Sequence, residues 1–174
     1  MMWLFTALVV LARADVLWGF AVGAPRSTCR SMTPDHGRHI TPRTTNQPYH
    51  FEISPLYYKE GDEIQVKLVQ NGTGKAYVGV MIQARYTDPT KLQVAVGKFR
   101  ISPSDMGTLK LVCYDGAVSH KNNRRTESTE VTWLAPTRGT GDIVFKASVV
   151  QDYNKIWLGI ESPVLTYGDA PPEP

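Results

Sequence analysis

The sequence predicts an all-β protein, an antiparallel sandwich of about eight strands preceded by an irregular N-terminal arm. Three observations predict it. Short runs alternate apolar and polar residues with the period of a half-buried strand. Turn residues recur about every eight to twelve positions, and no stretch sustains a helical period. The 174 residues suffice for one core, and 42% apolar with 20% charged residues excludes a disordered chain. A formal charge of +3 is too small to mark a nucleic-acid binder. No internal repeat and no second domain is visible, so one domain over residues 15–167 is expected.

The chain opens with a short apolar run, Trp3–Ala12, interrupted only by Thr6. A bilayer span needs about 20 residues, so this run is too short to cross. Ala12-Arg13-Ala14 follows with small residues where a signal peptidase reads them. A secretory leader over residues 1–14 is therefore expected, with a later cut up to 21 left open by the second apolar run. Arg13 and Asp15 disfavour a membrane anchor continuing through both runs. The protein is expected to be extracellular and not membrane-spanning.

Residues 23–48 are rich in Pro, Thr, Arg, Ser and Gly and read as an extended arm. So long an irregular segment requires a fixing point, and Cys29 is the obvious one. Tyr49–Ser54 and Glu63–Gln70 then alternate as strands, with Tyr58–Asp62 a turn between them. Asn71-Gly72 predicts a two-residue hairpin into a long strand over Lys75–Tyr86, whose apolar middle places it centrally. Leu92–Ile101 is the next strand, with Gly97 marking a bulge or a close backbone approach. Thr108–Tyr114 alternates with Leu109, Leu111 and Cys113 on one face. Asp115–Ser128 reads as a polar connection. Thr129–Leu134, Asp142–Val150, Lys155–Ile160 and Ser162–Tyr167 complete the sandwich, with Trp133 and Trp157 assigned to the core. The proline-rich end, residues 168–174, is expected to be a disordered tail.

Cys29 and Cys113 are the two cysteines. In an oxidising compartment they favour one disulfide; in the cytosol they would be two free thiols. If bonded, they would restrict the unfolded chain by roughly 4–5 kcal/mol in the chain-entropy model.

Candidate chemistry is sparse. His36 and His39 sit three apart on the arm with Asp35 as the nearby carboxylate, and no helix aims them at one metal. His50 and His120 have no evident triad around them. No glycine-rich phosphate loop precedes a helix. We expect no catalytic residues, no metal and no cofactor. Asn71-Gly72-Thr73 is an N-glycosylation sequon. Arg26, Arg30, Arg38 and Arg43 on the arm, with Lys121, Arg124 and Arg125 farther on, could meet as one basic patch for anionic surfaces. Glu127 and Glu130 offer the opposing reading of ordinary solvated charge.

A family resemblance runs through the chain. Gly23-Ala-Pro25, Cys29 and Met32-x-Pro34-x-His36-Gly37 resemble the opening of the reeler (reelin N-terminal) domain. The resemblance continues through Gly79–Arg85, Val96–Phe99, Leu111-Val-Cys113, Ser119-His120, Thr132–Pro136, Gly141–Phe145, Trp157 and Ser162–Leu165. It implies a secreted immunoglobulin-like β-sandwich with a Cys29–Cys113 disulfide. The layout is similar to the single-domain, insect-type defence proteins of that family. It implies a non-enzymatic innate-immunity role: binding microbial surface polysaccharide, lipopolysaccharide or teichoic acid, with antimicrobial action. Adhesion fits better than lysis, because no cationic amphipathic helix is present. The alternative is a matrix or cell-surface adhesion module that binds glycosaminoglycan or a protein partner.

Overall fold

The structure is a computed structural model that describes residues 22–34, 40–72, 74–91, 94–138 and 141–170. The leader expected over 1–14, and its possible extension to 21, lies outside the described residues. The described chain contains a 3-10 turn, Arg26–Cys29, and then β1 (Tyr49–Ser54), β2 (Tyr57–Tyr58), β3 (Glu63–Gln70) and β4 (Gly79–Tyr86). After these come β5 (Lys98–Arg100), β6 (Leu109–Val112), β7 (Ala117–His120) and β8 (Ser128–Leu134). The last strands are β9 (Ile143–Asp152), β10 (Lys155–Glu161) and β11 (Thr166–Tyr167).

Two antiparallel sheets form the predicted sandwich. One has the order β1-β3-β8-β5 and the other β10-β9-β4-β7-β6; β11 and β2 add a small parallel pair. Alternation decides which side chains meet. Ile64, Val66 and Leu68 of β3 lie in register with Trp133, Val131 and Thr129 of β8. They face Val80, Ile82 and Ala84 of β4 and Phe145, Ala147 and Val149 of β9, all in one buried cluster. Trp133 packs edge-on against Phe145 and Tyr58, and its indole N–H donates to the Val96 carbonyl at 2.8 Å. Trp133 and Trp157 are both buried, as their apolar neighbours implied.

Several local readings are corrected. Asn71-Gly72 does not close a hairpin: β3 pairs with β1 and β8, while β4 belongs to the other sheet, so the chain crosses between sheets here. A turn remains, closed by the Gly74 N–H on the Asn71 carbonyl, but its geometry serves a crossover. Of the strand expected over Leu92–Ile101, the described residues show three, Lys98–Arg100, because positive φ at Gly97 ends the regular backbone before it. The polar connection after residue 114 hides β7, whose Ala117, Val118 and Ser119 are fully buried. Cys113 is therefore not on a strand: β6 stops at Val112, and Cys113, Tyr114 and Asp115 turn the chain with φ of 56°, 57° and 66°. Leu111, read as inward, is exposed, because β6 is the edge of its sheet. Tyr58, read as the start of a turn, is buried in the two-residue strand β2. Within the expected tail, Gly168 N–H donates to the Tyr58 carbonyl and Asp169 pairs with Lys59; residues 171–174 lie outside the description.

Candidate functional site

The outer face of the five-stranded sheet carries the most distinctive chemistry. In β4 the inward residues are Val80, Ile82 and Ala84, so Met81, Gln83 and Arg85 point the other way. That face is also buried, because the arm lies across it. The arm enters at Gly23, where φ is +92° and a Cβ would collide with the His120 carbonyl; only glycine fits. Ala24 N–H donates to Ser119 Oγ at 3.0 Å, and Ser119 Oγ donates on to the Val80 carbonyl. Pro25 opens the 3-10 turn, and Thr28 closes it by donating from both N–H and Oγ1 to the Pro25 carbonyl.

The turn delivers Cys29 to the sheet. Cys29 and Cys113 form the disulfide that the resemblance implied. Beside it stands a polar clasp. Gln83 Nε2 donates to the Cys29 carbonyl at 2.9 Å. Arg85 Nη2 donates to the Cys29 and Arg30 carbonyls at 3.0 and 2.8 Å, and Gln83 Oε1 accepts from Arg85 Nε and Nη2. Burial, and secondarily the charge of Arg30, lowers the Arg85 pKa from the ordinary arginine value. Sequence reasoning missed this clasp. The available signal was two long polar side chains, on one face, within a strand read as central.

Past the disulfide, Met32 packs on Met81 and Ala117, and its carbonyl accepts from Ser148 Oγ at 2.5 Å. Between arm and sheet remains a groove of about 210 Å³. Met32, Met81 and Val150 supply apolar walls; Thr33, Asn123 and Tyr153 are exposed along its rim. Thr28 and Ser148 in its lining direct their hydroxyls to backbone carbonyls, which leaves the surface apolar. A second, polar cavity of about 350 Å³ adjoins it and shares Val78, Val80 and His120. Arg124, Arg125, Asp105 and Glu130 line this cavity together with Ser, Thr and Asn side chains. The Val80 N–H donates to His120 Nδ1 at 3.1 Å, which fixes the ring that borders both spaces.

The expected basic residues are placed in separate positions. Arg26 lies over the Tyr114 ring, 5.1 Å from its centroid, at the β6–β7 turn. Lys121, Arg124 and Arg125 follow the opposite end of β7. Lys121 Nζ donates to the Met106 carbonyl and Arg125 Nη1 to the Ala76 carbonyl. Arg43 stacks over Trp157 at 5.2 Å, beside β10 at the far edge of the sheet. Arg30 is exposed near Arg85. Arg38, with His36 and His39, lies outside the described residues. Among the described residues no three His, Cys, Asp or Glu side chains group as metal ligands would. Asn71 is exposed, and its backbone does not adopt a positive φ. No helix among the described residues is long and apolar enough to cross a membrane.

Comparison with known proteins agrees with this layout. The Reeler domain profile matches residues 27–173. "Putative defense protein 3" of Antheraea mylitta is 31% identical over 166 residues, 95% of this chain and 97% of that protein. "Putative ferric-chelate reductase 1" of Danio rerio is 32% identical over 93% of this chain but only 28% of its own length. The chain thus spans about a quarter of the ferric-chelate reductase relatives, 25–28% of each. The crystal structure of the human F-spondin reeler domain superposes with a TM-score of 0.62 at 24% identity, covering 76% of this chain and 96% of that one. With the profile spanning the arm, the disulfide and both sheets, the chain belongs to the reeler domain family.

Proposed function

We propose that this chain is a secreted, non-enzymatic defence protein that binds microbial surfaces. The observation that carries the proposal is one of extent. The defence-protein relatives match along 86–97% of their own length, so they act with little more than this one domain. The ferric-chelate reductase relatives keep about three quarters of their chain elsewhere, and nothing in this domain supports transferring a redox activity to it. The disulfide supports an oxidising compartment, in keeping with the leader read in the sequence. The dispersal of the arginines weakens the single-patch idea. It directs attention to the loop over residues 121–125, next to the groove.

The test is binding of the secreted protein to whole bacteria and, in parallel, to heparin beads. We expect retention on bacteria that survives about 0.15 M salt, and weak, salt-sensitive retention on heparin. The double variant Lys121→Glu, Arg124→Glu should weaken capture on bacteria several-fold. Tight heparin binding without bacterial binding would overturn the defence reading in favour of a matrix module; colony counts from the same incubation measure antimicrobial action. We also propose that Asn71 is glycosylated, on the basis of its exposed sequon. A mass loss of the secreted protein on glycosidase treatment, absent in Asn71→Gln, is the expected result.

A further inference from the structure

We infer that the arm–sheet groove and the cavity beside it form one composite site for an acylated sugar, the acyl chain in the groove and the sugar in the polar cavity. This rests on the defence reading and names the ligand class of that same surface. Three observations carry it. First, the groove is open at an exposed rim, Thr33, Asn123 and Tyr153, while its inner surface is Met32, Met81 and Val150. An apolar cavity of about 150 Å³ is enough to take up a benzene-sized guest, so 210 Å³ accommodates a short run of methylenes. Methionine is the side chain that adapts to chains of differing shape, and two of them, packed on each other, line this space.

Second, the neighbouring cavity does not carry one sign of charge. Arg124 and Arg125 share it with Asp105 and Glu130, and Ser104 and Thr108 add hydroxyls. A simple anion would meet carboxylates there. A neutral polyol, whose every hydroxyl both donates and accepts, finds partners in such a mixed lining. Third, the two spaces adjoin: Val78, Val80 and His120 line both. A ligand that fills them must be apolar at one end and hydroxyl-rich at the other, which is the constitution of an acylated sugar. Neither a free polysaccharide nor a free fatty acid uses both.

The experiment is calorimetric titration of the full secreted chain with n-hexyl, n-octyl and n-decyl β-glucoside below their micelle concentrations. Glucose, octanol and octanoate serve as half-ligands. We expect affinity to rise about fourfold per methylene, the equivalent of about 0.8 kcal/mol, until the groove is full and then to level off. Octyl glucoside should bind at least tenfold more tightly than octanol, octanoate or glucose. Val78→Trp, at the junction, should abolish the chain-length series. Thr33→Trp enters from the exposed arm side and tests the same point should the first variant melt early. Arg124→Ser should reduce the advantage of the glucoside over octanol and leave the slope per methylene unchanged. Vesicles bearing a bacterial acylated glucosamine lipid, against vesicles bearing glucosylceramide, distinguish a microbial from a host source. A flat chain-length series, or octanol binding as well as octyl glucoside, overturns the composite site. Loss of glucoside binding in Val78→Trp with unchanged capture of bacteria would sink the site's role in defence while leaving the defence reading intact. Glucoside binding without any capture of bacteria would do the reverse.

Discussion

Arg85 is a charged residue on a central strand, yet it is only 6% exposed. Its hydrogen bonds run to the Cys29 and Arg30 carbonyls and to Gln83, so it secures the backbone on both sides of the disulfide. Replacing it with methionine keeps the bulk and removes the donors. Buried acceptors left without partners cost about 1–3 kcal/mol each. Arg85→Met should therefore lower the melting temperature by several degrees and speed tryptic cleavage after Arg26 and Arg30. Unchanged cleavage rates would show that the disulfide alone fixes the arm. Gly97 is a second residue without freedom to vary. Its φ is +68°, and a Cβ there would lie 2.5 Å from the Leu134 carbonyl and from the Trp133 indole nitrogen. The left-handed backbone and the overpacking together should make Gly97→Ala cost about 2–4 kcal/mol, read from urea unfolding.

At the scale of elements, the β6–β7 hairpin connects arm, disulfide and groove. Its turn carries Cys113; β7 supplies Ser119 to Ala24, and His120 to the junction of the two cavities. Cys113→Ser removes a cross-link between residues 84 apart, worth at most roughly 4–5 kcal/mol in the chain-entropy model. The clasp and the Ser148–Met32 hydrogen bond remain, so the arm should loosen before the sandwich unfolds. Limited proteolysis of Cys113→Ser should cut within residues 26–34 while the far-ultraviolet β signal persists; simultaneous loss of both would contradict this order. The same hairpin marks the limit of what the sequence discloses. β3, β4, β8 and β9 were legible because each is long enough to display its alternation or its apolar run. β7 was not, since four residues flanked by Asp, Lys and Asn show no period. Likewise the disulfide could be anticipated from two cysteines and a family pattern. The groove could not: Met32 and Met81 look like ordinary core until the topology places one on the arm and the other on the outward face of β4. Asn71-Gly72 has hairpin chemistry, but the choice between pairing and crossing sheets is made by distant strands.

At the scale of the whole molecule, three tyrosines set how the sandwich responds to alkali. Tyr49 and Tyr58 donate their hydroxyls to the carbonyls of Lys75 and Gly141, and Tyr77 bonds Thr129, so each anchors one segment to another. All three are buried. Burial, with Asp152 a lesser cause, pushes the Tyr49 pKa up to about 12; burial raises Tyr58 and Tyr77 as well. The unfolded chain releases these protons near the ordinary value of 10.0, whereas the folded chain retains them. Folding stability from these groups is therefore complete below pH 10 and declines as pH rises from there through the folded values. A phenolate absorbance titration should show a step above pH 10 that coincides with loss of β structure. The melting temperature should be nearly constant from pH 8 to 9.5 and fall steadily between 10 and 12. A melting temperature that stays flat through pH 12 would mean that these hydroxyls are not buried, and that the contacts joining β1, β2 and the segment before β4 to the rest of the sandwich are looser than described.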